Sequence, residues 1–342
     1  MIVRFLLALP SYPRWFHRAR CFIACGALLW GGLSAAAPAQ TAAGFVTDAA
    51  TPTAFRQSTD DALWTGPMLA NSAATLPHGH FLIEPYLYDA SSSGTDGFGS
   101  LTYMLYGVTD RLTAGLVPVF GYTRVEGGPN ASGVGPGDVS LLAQYRLTQF
   151  PAESSLPTVS IQLQETLPSG RYDRLGDRPA NGQGGGAYVT TLALNTQTWF
   201  WLPNGRILRM RFNVSQSFAR TTSVEGVSVY GTGEDFHGDA RPGNATFVDA
   251  AWEYSLTRNW VLALDLTWRH ARGTRVTGYD LSDTPPIPVR SDSGTSTAFG
   301  FAPAVEFNWN PHVGLLVGVR VITGGYNTTR SVTPAMALDM VY

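Results

Sequence analysis

The chain has 342 residues, 14% of them charged, against roughly 25% in an ordinary soluble domain. Mean hydropathy is close to zero, and no run of about 18 apolar residues follows the N-terminus, which argues against a helical membrane protein. All 23 basic residues are arginine, and they form no basic patch of the kind that nucleic acid requires.

The N-terminus reads as an export signal. Arg14, His17, Arg18 and Arg20 form a basic region, and residues 21–33 form a short apolar core. Ala37-Pro38-Ala39 is a small-residue cleavage site, which places the mature start near Gln40. The basic region is long, so a start codon further downstream is expected. Cleavage removes both cysteines, Cys21 and Cys25, and with them disulfides, thiol chemistry and Cys-ligated zinc. It leaves 19 arginines against 25 acids, a net charge of about −6.

Residues 40–78 lack a strand pattern. A short helical turn ended by Gly66-Pro67 is expected there. The segment reads as a periplasmic lead-in, or as a small plug if Trp64, Met68 and Leu69 tuck into a lumen.

From His80 onward the pattern changes to period-two alternation, the mark of strands with two different faces. Twelve strands are predicted: 80–89, 98–107, 112–124, 138–148, 157–167, 186–202, 206–220, 245–256, 260–269, 294–309, 313–323, and a last one reaching Tyr342. The ninth is the clearest. Trp260, Leu262, Leu264, Leu266 and Trp268 lie on one parity, with Ala263, Asp265, Thr267 and Arg269 on the other. Polar loops, among them 168–185, 221–244 and 273–293, alternate with tight turns such as Pro203-Asn204-Gly205 and Asn310-Pro311-His312. Alternating loop lengths, an even strand number and aromatics at strand ends predict an all-β, transmembrane, up-and-down antiparallel β-barrel of about 12 strands. Tyr145, Trp199, Trp201, Tyr254, Trp260 and Trp309 are read as the periplasmic girdle. The terminal aromatic Tyr342 resembles the signal that barrel-assembly machinery reads.

Arginine facing lipid at mid-depth costs about 2–4 kcal/mol, so the polar parity must face inward. That lines the lumen with Glu84, Arg146, Arg209, Arg211, Asp249, Glu253, Asp265, Arg269, Glu306, Arg320 and Asp339, six acids facing five arginines. These pair across strands and fill the barrel, or their arginine side lines a permeation path. Tyr86, Tyr88 and Tyr106 are assigned to the same path, their rings stacking on a solute that arginine orients. Twelve strands leave a passage between the filled interior of eight and the aqueous channel of sixteen.

No catalytic set emerges. A lipid-acting enzyme needs a histidine and a serine oriented by a third polar group, and His270 has no serine beside it. His78 and His80 sit beside Pro77 and Gly79, so they read as a turn rather than a metal site. Asp235, His237 and Asp239 read as a solvated loop, His312 as part of a turn, and no cofactor is implied.

The order of five motifs resembles a family. They are Trp64-Thr65-Gly66-Pro67-Met68-Leu69, Tyr106-Gly107-Val108-Thr109-Asp110-Arg111-Leu112, Gly135-Pro136-Gly137-Asp138-Val139, Leu167-Pro168-Ser169-Gly170-Arg171-Tyr172-Asp173 and Pro203-Asn204-Gly205-Arg206. Together they resemble the outer-membrane transporters named after the meta-pathway of phenol degradation, over residues 60–342. The resemblance implies a Gram-negative outer-membrane barrel, embedded in lipid, that takes up small aromatic or other hydrophobic compounds. The expected function is passive uptake or binding of such a solute by a monomer. A lipid-acting outer-membrane enzyme and a closed structural or adhesive barrel are the alternatives.

Overall fold

The computed structural model describes residues 55–154 and 156–342. The expected signal and cleavage site lie outside the described residues. So does the first part of the 40–78 segment.

Twelve long strands form one closed antiparallel barrel. They are β1 (Phe81–Ser92), β2 (Thr95–Thr109), β3 (Leu112–Val117, continued by Val119–Val125), β4 (Val139–Thr148), β5 (Thr158–Leu167) and β6 (Val189–Trp201). The other half holds β7 (Ile207–Ala219), β8 (Ala245–Ser255), β9 (Trp260–Ala271), β10 (Ser296–Asn310), β11 (Val313–Tyr326) and β12 (Ser331–Val341). Pro118 interrupts β3 because it has no N–H to give to the ladder. The barrel closes by pairing β1 with β12. At that seam Tyr342 N donates to Phe81 O at 2.8 Å and Phe81 N to Tyr342 O at 2.9 Å.

The polarity is inverted relative to a soluble barrel. Leu262, Leu264 and Leu266 point outward and are 42%, 38% and 46% exposed, while Asp249, Glu253, Asp265 and Glu306 face inward and are fully buried. Outward Leu, Phe and Val with an ionisable interior suit a hydrocarbon solvent outside. At the short-turn end of the barrel Trp260 packs on Phe307, and Trp309 stands edge-on to Phe307, as interfacial aromatics do.

Three expectations need correction. The gap left between the first two predicted strands, 80–89 and 98–107, is a hairpin turn, because β1 and β2 stay paired out to Ser92 and Thr95 and Gly94 takes the positive φ. The helical turn before Gly66 is a 3-10 turn at Thr59–Asp61, set earlier by a Ser58 capping box. The loops predicted at 221–244 and 273–293 contain a second sheet of four short strands, Thr222–Glu225, Phe236–Arg241, Arg275–Asp280 and Ile287–Asp292. Val224, Phe236, Ala240 and Val276 form its small core. Its strands were hidden by their shortness and their polar exposed faces. Phe236 is its largest fully buried side chain, so Phe236→Ala should cost about 3–4 kcal/mol locally. Limited proteolysis should then nick residues 221–244 while the barrel keeps its heat-modifiable mobility on gels.

A lumen crossed by an N-terminal segment

The interior is built by cross-strand register. On β7 and β8, Arg209 stands opposite Glu253, and Arg211 is on the same inward parity two residues along. Glu253 accepts from Arg209 Nε at 2.7 Å, pairs with Arg209 Nη2, and forms an ion pair with Arg211, whose Nε lies 3.1 Å away without hydrogen-bond geometry. One carboxylate thus holds two guanidinium groups, all three side chains being buried.

The other acids make different contacts. Glu306 Oε2 accepts the backbone N–H of Thr65 at 2.8 Å and of Gly66 at 3.0 Å. Asp265 accepts Met68 N at 3.0 Å, Leu69 N at 3.3 Å and Ala70 N at 2.9 Å. Each residue from 65 to 70 that has an N–H, Pro67 having none, therefore gives it to a wall carboxylate. These contacts bring the segment into the lumen, where Met68, Ala70 and Ala73 are buried. A charge-assisted bond of this kind is worth about 1.5–3 kcal/mol.

The rest of the segment is held as closely. Arg211 Nη1 donates to Ala70 O at 2.9 Å and Asn213 Nδ2 to Asn71 O at 2.9 Å. Arg209 lies over the rings of Trp64 and Trp199, 4.6 and 5.3 Å from their centroids, and those two indoles meet edge to face. Gly66 takes φ +120°, and a Cβ there would come 3.3 Å from Arg211 Nη2. Gly314 on β11 leaves the space that Thr65 fills, since a Cβ there would sit 2.1 Å from its Oγ1.

Both ends of the segment are fixed at the end of the barrel that carries the short turns. Gln57 Oε1 accepts Ile207 N at 3.1 Å, Gln57 Nε2 donates to Ser255 Oγ at 2.8 Å, and Trp201 Nε1 donates to Gln57 O at 2.8 Å. At the far end Thr75 Oγ1 donates to Asp110 O at 2.6 Å and His78 N to Asp110 Oδ1 at 2.9 Å. The chain from 57 to 78 is therefore a strap tied on both sides.

The lumen has two unlike walls. Tyr86, Leu101, Tyr103, Val117 and Leu142 form an apolar wall with Met68 and Leu69 of the strap, and Tyr88 packs against it. Amides and hydroxyls of β4–β7, among them Gln144, Gln162, Asn195 and Asn213, form the other. At the outer mouth the 168–188 loop folds back inside. Gln183 Nε2 donates to Thr123 Oγ1 at 3.1 Å. Asp138 clamps that loop by accepting Gly170 N at 2.9 Å and Gly185 N at 2.7 Å. Burial pushes the Asp138 carboxyl up, against the downward pull of the N–H groups it accepts.

Of the sequence-predicted residues, Arg209, Arg211, Asp265 and Glu306 come together around the strap. Glu84 and Tyr86 face the lumen, Tyr86 OH donating to Glu84 Oε1 at 2.8 Å. Arg146 is on the inward parity but stands away from the group, beside Arg111 and Asp110 at the β2–β3 turn. Arg269 and Arg320 are inward on β9 and β11. Tyr106 is a correction. It lies opposite Phe81 in register and packs on that exposed ring, so it faces outward. Tyr103 takes the inward place, 5.9 Å from Tyr86 ring to ring. Trp199 and Trp201 are also corrections. They continue the inward parity of Asn195 and Gln197, so they hold the strap rather than the outer girdle. That parity was readable, but the expectation of a girdle overrode it. The histidines sit apart: His78 Nδ1 meets Val108 O at 2.9 Å and His270 Nδ1 meets Thr297 Oγ1 at 3.2 Å.

No family model matches the chain, and no curated protein does. Solved structures do. The COG4313 outer membrane channel from Pseudomonas putida F1 superposes with a TM-score of 0.59 at 14% identity, over 80% of this chain and 99% of that one. The NanC porin gives 0.41 at 9% identity, over 75% and 98%, and the Ralstonia pickettii toluene transporter TbuX 0.35 at 10%, over 82% and 95%. The likeness to the first, with the strand closure and inverted polarity above, makes this chain a twelve-stranded β-barrel of the outer-membrane type.

Proposed function

We infer that the protein is a passive outer-membrane channel for small hydrophobic or aromatic compounds, held shut at rest by the strap of residues 57–78. One observation carries the reading. Asp265 and Glu306, acidic side chains on the barrel wall, accept the backbone N–H groups of Thr65, Gly66, Met68, Leu69 and Ala70, a stretch of chain that is no part of the barrel ladder. A barrel needing only a filled interior is served by wall pairs such as Arg209–Glu253. The apolar wall of Tyr86, Leu101 and Tyr103 supports a hydrophobic solute, as does the resemblance of the sequence motifs to the aromatic-compound transporters. In this reading Arg209 and Arg211 fasten the closed state, and they line the path only once the strap has moved. The outward apolar face sits in outer-membrane lipid, and the last strand, ending at Tyr342, is what barrel-assembly machinery engages.

The test is a wedge. Gly314→Leu places a side chain where Thr65 now packs and should loosen the strap without touching a charged group. Single-channel recordings in planar bilayers should show the wild type closed or poorly conducting, and the variant steadily open. Cells carrying the variant should take up toluene faster. A folded variant that neither conducts nor speeds uptake would remove the channel reading and favour a closed structural barrel.

A further inference from the structure

The polar wall and the strap meet in a pattern with a chemical meaning. Gln144 Nε2 donates to Ser72 O and Ala74 O, each at 3.0 Å, and Asn213 Nδ2 to Asn71 O at 2.9 Å. In return Asn71 Nδ2 donates to Gln162 Oε1 and Ser72 Oγ to Gln197 Oε1, each at 3.2 Å. The Asn71–Ser72 turn thus offers two donors and two carbonyl acceptors to a belt of four amides. Two neighbouring hydroxyls, each both donor and acceptor, offer the same set.

The polar wall that carries the belt is not saturated by the strap. Gln164 Oε1, Asn195 Oδ1 and Asn213 Oδ1 are buried with no hydrogen-bond donor among the described residues. The NH2 end of each is already in use: Gln164 on Ser140 Oγ at 3.1 Å, Asn195 on Gln144 Oε1 at 3.0 Å, and Asn213 on Asn71 O. Asn195 and Asn213 stand directly opposite one another on β6 and β7. An amide oxygen only accepts, so these three atoms call for donors, which the unpartnered hydroxyls of Ser160 and Ser215 on the same face do not supply, and buried acceptors left unpaired weaken the closed arrangement.

Charge narrows the ligand further. Asp249 is in register with Asn213 and opposes an anion, while Arg211, two residues along the same face, opposes a cation. A neutral head remains. Across the lumen stands the apolar wall of Tyr86, Leu101, Tyr103 and Val117, which accepts an apolar body.

We propose that this amide belt binds the neutral, dihydroxylated head of an amphipathic solute, and that the Asn71–Ser72 turn occupies it as an internal mimic, so that solute binding releases the strap. The proposal rests on the reading of the lumen as a solute path. It adds to that reading the class of head group and the way the strap is displaced.

Hydrogen–deuterium exchange over residues 63–76 tests it directly, because the amides of Thr65, Gly66, Met68, Leu69 and Ala70 are protected by Glu306 and Asp265. The full chain in lipid nanodiscs is titrated with 1,2-hexanediol, 1-hexanol and hexanoate. Exchange should rise with the diol and stay near baseline with the other two. In Asn71→Ala/Ser72→Ala, where the mimic keeps its carbonyls but loses both side-chain donors, the diol midpoint should fall about tenfold, as expected for two lost hydrogen bonds. Equal effects of diol and hexanol, or no response to the diol in either protein, would overturn the proposal. Flux measurements separate it from the channel reading. Flux without a diol-specific response leaves a path and removes this site. A diol-specific response without flux keeps the site and removes the path.

Discussion

Replacing Asp265 by alanine should turn a closed barrel into a conducting one. The carboxylate accepts three consecutive strap N–H groups, those of Met68, Leu69 and Ala70. At the low end of about 1.5 kcal/mol for a hydrogen bond to a charged group, their loss removes about 4.5 kcal/mol of anchoring. Since about 1.4 kcal/mol is a factor of ten, the ratio of closed to open strap falls about a thousandfold. Glu306 still holds Thr65 and Gly66, so Asp265→Ala/Glu306→Ala should open further than either change alone. Asp265→Asn tells charge from shape, because it keeps the volume and one acceptor oxygen but turns an NH2 toward strap donors. Its conductance should lie between those of wild type and alanine. Planar-bilayer recording of full-length protein, with gel mobility before and after heating to confirm folding, provides the check. Folded Asp265→Ala with wild-type conductance would mean that the strap does not close the path.

The barrel itself was legible because a strand facing lipid on one side and a lumen on the other leaves a strict record. Arg209 and Arg211 alternating with Leu208, Met210 and Phe212 have one physically sensible orientation, and the structure has it. Register then placed Glu253 opposite Arg209, which parity alone does not do. Tyr106 and Trp199 were misplaced for a related reason. An aromatic is stable both at the membrane interface and in a packed lumen, so its chemistry does not fix its side as that of arginine does. The strap was the least legible part. Residues 63–76 have no periodicity because they form no ladder of their own. The N–H groups of Thr65, Gly66, Met68, Leu69 and Ala70 are satisfied by Asp265 and Glu306, each some 200 residues or more away in sequence. The amide belt was visible as polar parity in β5 and β6, but its meaning depends on which atoms the strap leaves without partners. The sheet over the outer mouth was missed because a core of four residues, centred on Phe236, is too small to mark loop sequence as strand.

Glu253→Ala should be the most destabilising single change in the wall. It leaves Arg209 and Arg211 buried side by side without their shared carboxylate, and breaking a buried pair from one side costs about 3–5 kcal/mol. Urea unfolding in nanodiscs should show a midpoint shift of that size. Arg275→Ala, which breaks an exposed pair with Asp292 on the outer sheet, should shift it by about 1 kcal/mol or less. A rescue then separates stability from closure. In Glu253→Leu/Arg209→Met/Arg211→Met the charges are gone together, and an apolar triad of similar volume should recover most of the lost stability. It should not recover closure. Arg209 is the cation over Trp64 and Trp199, and Arg211 is the donor to Ala70 O, so the strap loses both holds. A triple variant that is stable and conducting would place these arginines in the lumen to fasten the strap. One that is stable and closed would reduce them to filling, and would leave Asp265 and Glu306 as the whole of the anchor.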